Sequence, residues 1–408
     1  MTTHRTFFSC LLLIGFLVTV LFNQVSAQTS RSLRVQQSVA ARGQNQNVVV
    51  EMEPVGNENA VGFSLNFDAD QLRFVSASTV GAASGAALNI NNSLAHAGKI
   101  GIAFALPGGQ KLSAGKQPVA LVTFAVIAAE NVTNTFLSFG DQPIPREVVD
   151  VSANAVAANF SGAMLTFAQP MAAVSAASFS SARLAPDSIA TAFGGRLATK
   201  TQAAGSLPLP TSLTGASLNV KDSLGVDRSA QLFFVSPTQV NFLVPAGTAN
   251  GMASIIAVSS DNTLSVTNME INNVAPSLFS ADATGRGLAV AVVQRVKANG
   301  TTSFESIARF DTTQGKFAPI PIDLSQPTDQ VFLVLFSTGV RYRSNLNGVN
   351  AKFGGTDVPV LFAGAAPDFI GLDQINLRLP QNLAGRGLVN IALTVDGQTA
   401  NVVTVSIK

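Results

Sequence analysis

The side chains that most often carry out acid–base or nucleophilic chemistry are scarce in this 408-residue sequence. It contains two histidines, His4 and His96, and a single cysteine, Cys10. His4 and Cys10 fall in a predicted N-terminal leader, so a catalytic triad in the mature chain would have to use His96. The surrounding letters SLAHAGK predict a turn leading into a strand, and the G-x-S-x-G motif of a nucleophilic serine is missing. The sequence therefore predicts no enzymatic activity, no cofactor, and no metal site.

Three further patterns resemble chemical sites, and each favours a structural role. Asp68 and Asp70 lie two residues apart in FDADQL, where an aspartate-stabilised turn is favoured over calcium coordination, which needs further oxygen ligands. The glycine-rich stretch Gly108–Gln117 lacks the G-x-x-x-x-G-K-[ST] spacing of a phosphate loop. The tightest basic cluster, Arg341–Arg343, holds only two arginines with a single aromatic residue, Tyr342, and the charge balance is close to zero. Nucleic acid is therefore not expected as a partner.

A seven-residue pattern occurs twice, as QVNFLVP and later as QINLRLP. The matching positions are Gln239, Asn241 and Pro245 in the first copy, and Gln374, Asn376 and Pro380 in the second. In a strand, the apolar residues between them would share one face and the amides would share the other. We interpret these residues as structural markers of a duplicated sandwich. Asparagine is a poor strand former, so we expect each Asn amide to bond the backbone of a neighbouring loop.

The first 27 residues have the pattern of a secretory signal peptide. The apolar run Phe7–Phe22 is followed by the small-residue pattern Val25–Ala27, which favours cleavage over an uncleaved membrane anchor. No later apolar run reaches membrane-spanning length, so we expect no membrane span after cleavage. We therefore predict a protein that is secreted to the extracellular space or the cell surface.

The elements that would carry any site are predicted to be strands. Charged residues make up 12% of the chain, about half the usual share, which suits sheet surfaces covered by hydroxyl and amide groups. Short alternating runs such as VGFSLNF and VALVTFAVI recur mostly every 8 to 15 residues or so, which favours sandwiches. We predict an all-β chain divided into a sandwich at 30–168, a linker or first strand region at 169–185, and two further sandwiches at 186–275 and 276–408.

The segment 30–168 resembles a cohesin domain. The resemblance rests on VGFSLNFDADQLRFVSAS, on GKIGIAFAL followed by LSAGKQPVALVTFAVI, and on the closing REVVDVSANAVAANFSGAMLTF. It implies a jelly-roll β-sandwich that binds dockerin modules, which carry calcium loops. Cohesins use one sheet face for their partner, so the resemblance makes Asn66, Asp68 and Arg73 candidate partner-binding residues by position. The sequence has no dockerin loop of its own, so a dockerin partner would be another chain.

The segment 172–408 resembles an uncharacterised family of C-terminal domains in secreted acidobacterial (Solibacter-type) proteins. The shared motifs include AASFSSARLAPDSIATAFGGRLA, FFVSPTQVNFLVP and VPVLFAGAAPDFIGLDQINLRLP. This resemblance implies two tandem immunoglobulin-like β-sandwiches and no reaction. The resulting prediction is a secreted, non-catalytic binding or scaffolding protein with an extracellular protein partner. The alternative is a carbohydrate-binding accessory module in polysaccharide catabolism, although the chain has no Trp and one Tyr for stacking on sugars.

Overall fold

The computed structural model describes residues 31–408, and the predicted signal peptide at 1–27 lies outside that range. The described chain is built of strands, joined by turns and by short 3-10 helices at Gly81–Ala83, Ala95–Ala97, Leu346–Gly348 and Gln381–Leu383. None of the helices in this part of the chain is long and apolar enough to cross a membrane. The predicted all-β class, with sheets stacked as sandwiches, is confirmed.

The first sandwich surrounds a hydrophobic cluster between Leu33 and Phe167. Its strands are β1 (Arg31–Val35), β2 (Ser38–Ala41), β3 (Asn45–Glu53), β4 (Glu58–Asn66), β5 (Leu72–Thr79), β6 (Ala87–Asn91), β7 (Lys99–Ala105), β8 (Gln117–Val126), β9 (Asn134–Gly140), β10 (Glu147–Asp150), β11 (Ala155–Val156), β12 (Ala158–Ser161) and β13 (Ala163–Ser175). One sheet has the order β12-β1-β3-β8-β5. In the facing sheet β4 pairs with β7 on one side and with β9 and β10 on the other, and β6 extends the sheet beyond β7.

The second sandwich surrounds a cluster between Met171 and Ile271. Its further strands are β14 (Ile189–Gly194), β15 (Gln202–Ala203), β16 (Ser212–Leu213), β17 (Ala216–Lys221), β18 (Asp227–Ser229), β19 (Gln231–Val235), β20 (Gln239–Leu243), β21 (Gly251–Val258) and β22 (Leu264–Ile271). One sheet joins β14, β20 and β19, and the other joins β17, β21 and β22.

The third sandwich surrounds a cluster between Val274 and Ile407. Its strands are β23 (Ser277–Leu278), β24 (Ala291–Val296), β25 (Thr302–Ser306), β26 (Ala308–Asp311), β27 (Lys316–Pro319), β28 (Gln330–Thr338), β29 (Val349–Phe353), β30 (Thr356–Val358), β31 (Val360–Ala365), β32 (Asp373–Arg378), β33 (Gly387–Val395), β34 (Gln398–Thr399) and β35 (Val403–Ile407). Its sheets repeat the pairing of the second sandwich, with β28, β32 and β31 in one and β29, β33 and β35 in the other.

Strand β13 passes from the first sandwich into the second without a break. Its residues 165–168 pair with β2, and its residues 171–175 pair with β14. The segment 169–185, which we expected to be a linker or first strand region, therefore begins inside a strand that belongs to both sheets. A cut near residue 168 would divide this strand, so the first sandwich is best tested within the whole chain. The predicted domain bounds remain a prediction.

The two copies of the Gln-x-Asn pattern occupy equivalent strands, β20 and β32. Each strand pairs with a neighbour that carries a β-bulge, between Leu232 and Phe234 in the first copy and between Val360 and Phe362 in the second. The apolar residues at alternate positions in and just after both strands are buried, as the period-two alternation predicts: Val240, Phe242, Val244, Ile375, Leu377 and Leu379. Leu243, on the opposite face of β20, is buried as well. The shared bulge and strand order favour the duplication that the sequence pattern indicates.

The expected hydrogen bond from each Asn to a neighbouring loop is wrong. Asn241 Oδ1 accepts a hydrogen bond from Gln239 Nε2 at 2.8 Å. Asn376 Oδ1 likewise accepts one from Gln374 Nε2 at 2.7 Å. Residues two apart in a strand lie on the same face, so each amide finds its partner within its own strand.

Candidate functional site

A face of small side chains covers the outward side of β4, β6 and β7 in the first sandwich. The strand register places Gly62, Ala103 and Asn89 side by side across β4, β7 and β6. A second row, two residues further along the strands, consists of Ala60, Ala105 and Ala87. These six residues border a shallow depression of about 350 Å³ and are named here the small-residue face. On β7 the inward partners are large, since Ile100, Ile102 and Phe104 are buried. The alternation of large and small residues in KIGIAFA is the sequence signal that our reasoning missed.

The loop between β9 and β10 folds over one end of this face. Ser64 Oγ donates to the carbonyl oxygen of Ile144 at 2.6 Å, and the backbone N–H of Ile144 donates to Ser64 Oγ at 2.9 Å. A Cβ atom at Gly101 would lie 2.6 Å from the Ile144 side chain, so only glycine permits this contact. The loop is therefore packed closely on the sheet and forms a fixed wall beside the small-residue face.

An exposed ion pair closes the same loop. Arg146 donates from Nε and Nη2 to the two carboxylate oxygens of Asp141, each at 2.8 Å. These hydrogen bonds from Arg146 lower the pKa of Asp141 to about 2. The two parallel hydrogen bonds hold the two ends of the loop in one orientation, although a pair this exposed contributes little to the free energy of folding.

The three candidate partner-binding residues do not form one site. Asn66 lies at the end of β4, on the sheet that carries the small-residue face, with its amide against Gly140. Asp68 lies in the following turn, where Oδ1 accepts from the N–H of Asp70 at 2.9 Å. This is the turn that the sequence predicted. Arg73 lies on β5 in the opposite sheet, so the structure separates it from Asn66.

His96 lies exposed in the short helix Ala95–Ala97, and within the described chain it has no hydrogen-bonded serine or carboxylate. Between residues 31 and 408 no group of three or more His, Cys, Asp or Glu side chains is placed to hold a metal ion. The exposed position of His96 gives it the surroundings of an ordinary surface side chain.

Each sandwich also contains a buried carboxylate paired with an arginine, a feature that carried no sequence signal. The pairs are Glu58 with Arg31, Asp222 with Arg228, and Asp373 with Arg341. In each sandwich the carboxylate also accepts hydrogen bonds from backbone N–H groups of a nearby loop. These pairs therefore fix loop conformations, and they are structural rather than chemical sites.

Comparison with known proteins gives limited similarity. No family model matches the sequence, and no curated protein matches it. Solved cohesin structures are similar to about a third of the chain. A non-cellulosomal cohesin from the archaeon Archaeoglobus fulgidus is 14% identical, with 34% of this chain and 92% of that chain covered and a TM-score of 0.29.

Two bacterial structures give similar values. The seventh ScaB type I cohesin from Pseudobacteroides cellulosolvens is 19% identical over 34% of this chain and 93% of its own, with a TM-score of 0.30. A type I cohesin–dockerin complex from Clostridium thermocellum, Coh-OlpC with Doc435, is 14% identical over 35% of this chain and 97% of that chain, with a TM-score of 0.29. The sequence resemblance of 172–408 to the acidobacterial family stays a prediction.

Proposed function

We propose that this protein is a secreted, non-catalytic binding protein, and that the small-residue face of its first sandwich holds an extracellular protein partner. One observation carries the proposal: two adjacent rows of Gly, Ala and Asn residues form a shallow, largely apolar depression beside a fixed loop. Small side chains let the backbone of a partner approach closely, and a prearranged wall reduces the entropy lost on binding. Secretion rests on the predicted signal peptide.

The chemistry of this face favours a protein partner over a polysaccharide. A sugar site usually offers an exposed aromatic ring, whereas the aromatic residue lining this depression, Phe104, is 2% exposed. Glu147 is the one charged residue in the lining, which also disfavours nucleic acid. The sequence resemblance to cohesins agrees with a protein partner, and a dockerin-like module with bound calcium is the partner class to test first.

The test is capture by the whole chain immobilised on a surface. The change Ala103→Arg places a long charged side chain in the middle of the face, and Ser76→Arg places the same side chain at an exposed position on β5. The probes are a calcium-loaded dockerin and the secreted proteins of the source bacterium. We expect Ser76→Arg to capture the same partners as the wild type. Ala103→Arg should lose them. Equal capture by both variants would show that partners bind elsewhere.

A further inference from the structure

Two hollows between the first and second sandwiches form one groove. Their volumes are about 940 Å³ and 630 Å³. They share six lining residues: Gln36, Gln37, Val49, Lys221, Ser223 and Gly225. One wall is formed by β1, β3 and β8 together with residues of β9 and β13, and the other is formed by β21 and the loop between β17 and β18. We name this groove the inter-sandwich cleft; it shares no residue with the small-residue face.

The larger hollow carries an excess of positive charge. Its lining contains the cations Arg34, Lys116 and Lys221 against a single carboxylate, Glu51. Arg34 Nε lies 2.8 Å and Lys116 Nζ lies 3.3 Å from the same oxygen of Glu51. Within residues 31–408, Lys221 has no carboxylate within salt-bridge distance. The larger hollow therefore has a local net charge of +2, which favours an anionic ligand there. The smaller hollow adds the carboxylates of Asp222, which is paired with Arg228, and Asp227, which lies across the hairpin from Lys221.

An exposed aromatic ring lies on the wall contributed by the first sandwich. Phe136 on β9 is 55% exposed, and it lies directly across from Met164 on β13. A Cβ atom at Gly162 would lie 2.9 Å from the Phe136 ring and 2.2 Å from the carbonyl oxygen of Leu137. The absence of a side chain at Gly162 therefore leaves room for the ring over the backbone, and the ring lines the larger hollow.

The wall contributed by the second sandwich is also held in a fixed conformation. Asp222 Oδ1 accepts from the N–H groups of Leu224 and Val226, each at 3.0 Å. Asp222 Oδ2 accepts from Arg228, and from the N–H of Ala249 at 3.2 Å. This buried carboxylate fixes a loop whose tip residue, Leu224, is 78% exposed and lines the cleft. An apolar tip on a loop held by four hydrogen bonds is a prearranged contact surface.

From this geometry we infer that the larger hollow of the inter-sandwich cleft binds an acidic oligosaccharide, a chain of sugars that bear carboxylates. Lys221 would pair with a carboxylate, and the Phe136 ring would pack on the apolar face of a sugar. The remaining lining is rich in amides and hydroxyls, such as Gln36, Gln37 and Ser223, which match the hydroxyl groups of sugars. This inference goes beyond the proposed protein-binding function, because a different surface carries it.

The experiment is calorimetric titration of the whole chain with polygalacturonate, with a neutral galactan, and with poly-L-glutamate. We expect binding of polygalacturonate and none of the galactan. We also expect Lys221→Gln to weaken binding about tenfold, since a charge-assisted contact is lost. Lys297→Gln, an exposed lysine in the turn before β25, removes the same charge elsewhere and should leave the affinity unchanged.

A second pair of variants tests the contact between the sugar and the Phe136 ring. Phe136→Ala should weaken polygalacturonate binding, whereas Phe304→Ala, at a 70% exposed ring of the third sandwich, should not. The inference fails if polygalacturonate does not bind, if poly-L-glutamate binds equally well, or if Lys221→Gln and Phe136→Ala both bind like the wild type. Ala103→Arg should keep sugar binding and Lys221→Gln should keep protein capture, so failure of one proposal is distinguishable from failure of the other.

Discussion

Replacing Asp222 by Asn should destabilise the second sandwich strongly, because an asparagine cannot satisfy the groups around this position. The amide oxygen can still accept from Leu224 and Val226, which lie at 3.0 Å from Oδ1. The amide NH2 group would then face two donors, the N–H of Ala249 and the guanidinium of Arg228. Two contacts to a charged acceptor are lost, each worth about 1.5 to 3 kcal/mol. We expect a loss of about 3 kcal/mol, at the lower end of that sum, because Arg228 is partly exposed and can rehydrate.

The pH dependence follows from the pKa of the same group. Burial raises the pKa of Asp222, but the backbone N–H groups of Val226 and Ala249 and the guanidinium of Arg228 outweigh it, so the pKa is lowered. A carboxylate with a lowered folded-state pKa stabilises the fold fully above its unfolded pKa, about 3.9 for Asp. That stabilisation is lost as the pH falls through the folded-state pKa. The difference between wild type and Asp222→Asn should therefore shrink below about pH 4.

The assay is urea unfolding followed by circular dichroism, because the chain contains no Trp to report by fluorescence. Hydrogen exchange read by mass spectrometry would localise the loss of protection to β17, β18 and β21. Asp227→Asn is the matched control, since it removes the same charge from an exposed position on the same hairpin. The reasoning is refuted if Asp222→Asn unfolds at the same urea concentration as Asp227→Asn.

Three further predictions concern the repeat and the loop beside the small-residue face. Asn241→Ala and Gln239→Ala should each lower the free energy of unfolding, measured in urea titrations, by about 1 kcal/mol. The double variant should lower it by less than the sum of the two, because the two amides share one hydrogen bond. Gly101→Val should lower the melting temperature measured by calorimetry, because its Cβ would clash with the packed loop at 2.6 Å; an unchanged value would contradict that packing. The carboxyl carbon of Asp141 should titrate by NMR near pH 2 and at a higher pH in Arg146→Gln, which keeps only the backbone hydrogen bond from residue 146. Identical midpoints would refute the ion pair as the main cause.

The alternation of side chains fixed much of the fold in advance. Val240, Phe242 and Val244 are buried and Gln239 and Asn241 are not, because a strand presents successive residues to opposite faces wherever it lies in the molecule. The same local rule predicted the all-β class, and the Asp68 turn followed from a side chain that bonds its own backbone. Such features depend on residues within a few positions of one another.

The candidate sites depend on residues that are distant in sequence, and the tertiary structure alone decided them. The inter-sandwich cleft brings Phe136 and Lys221 to the same hollow, and Asp222 finds its partner Ala249 across 27 residues. Conversely, Asn66 and Arg73 are close in the sequence but lie on opposite sheets. A strand pattern determines which face a residue occupies, whereas the pairing of strands and the packing of sheets determine which residues meet. The sequence by itself therefore determined the class, the repeat and the buried faces, and the tertiary structure determined the neighbours that make a binding surface.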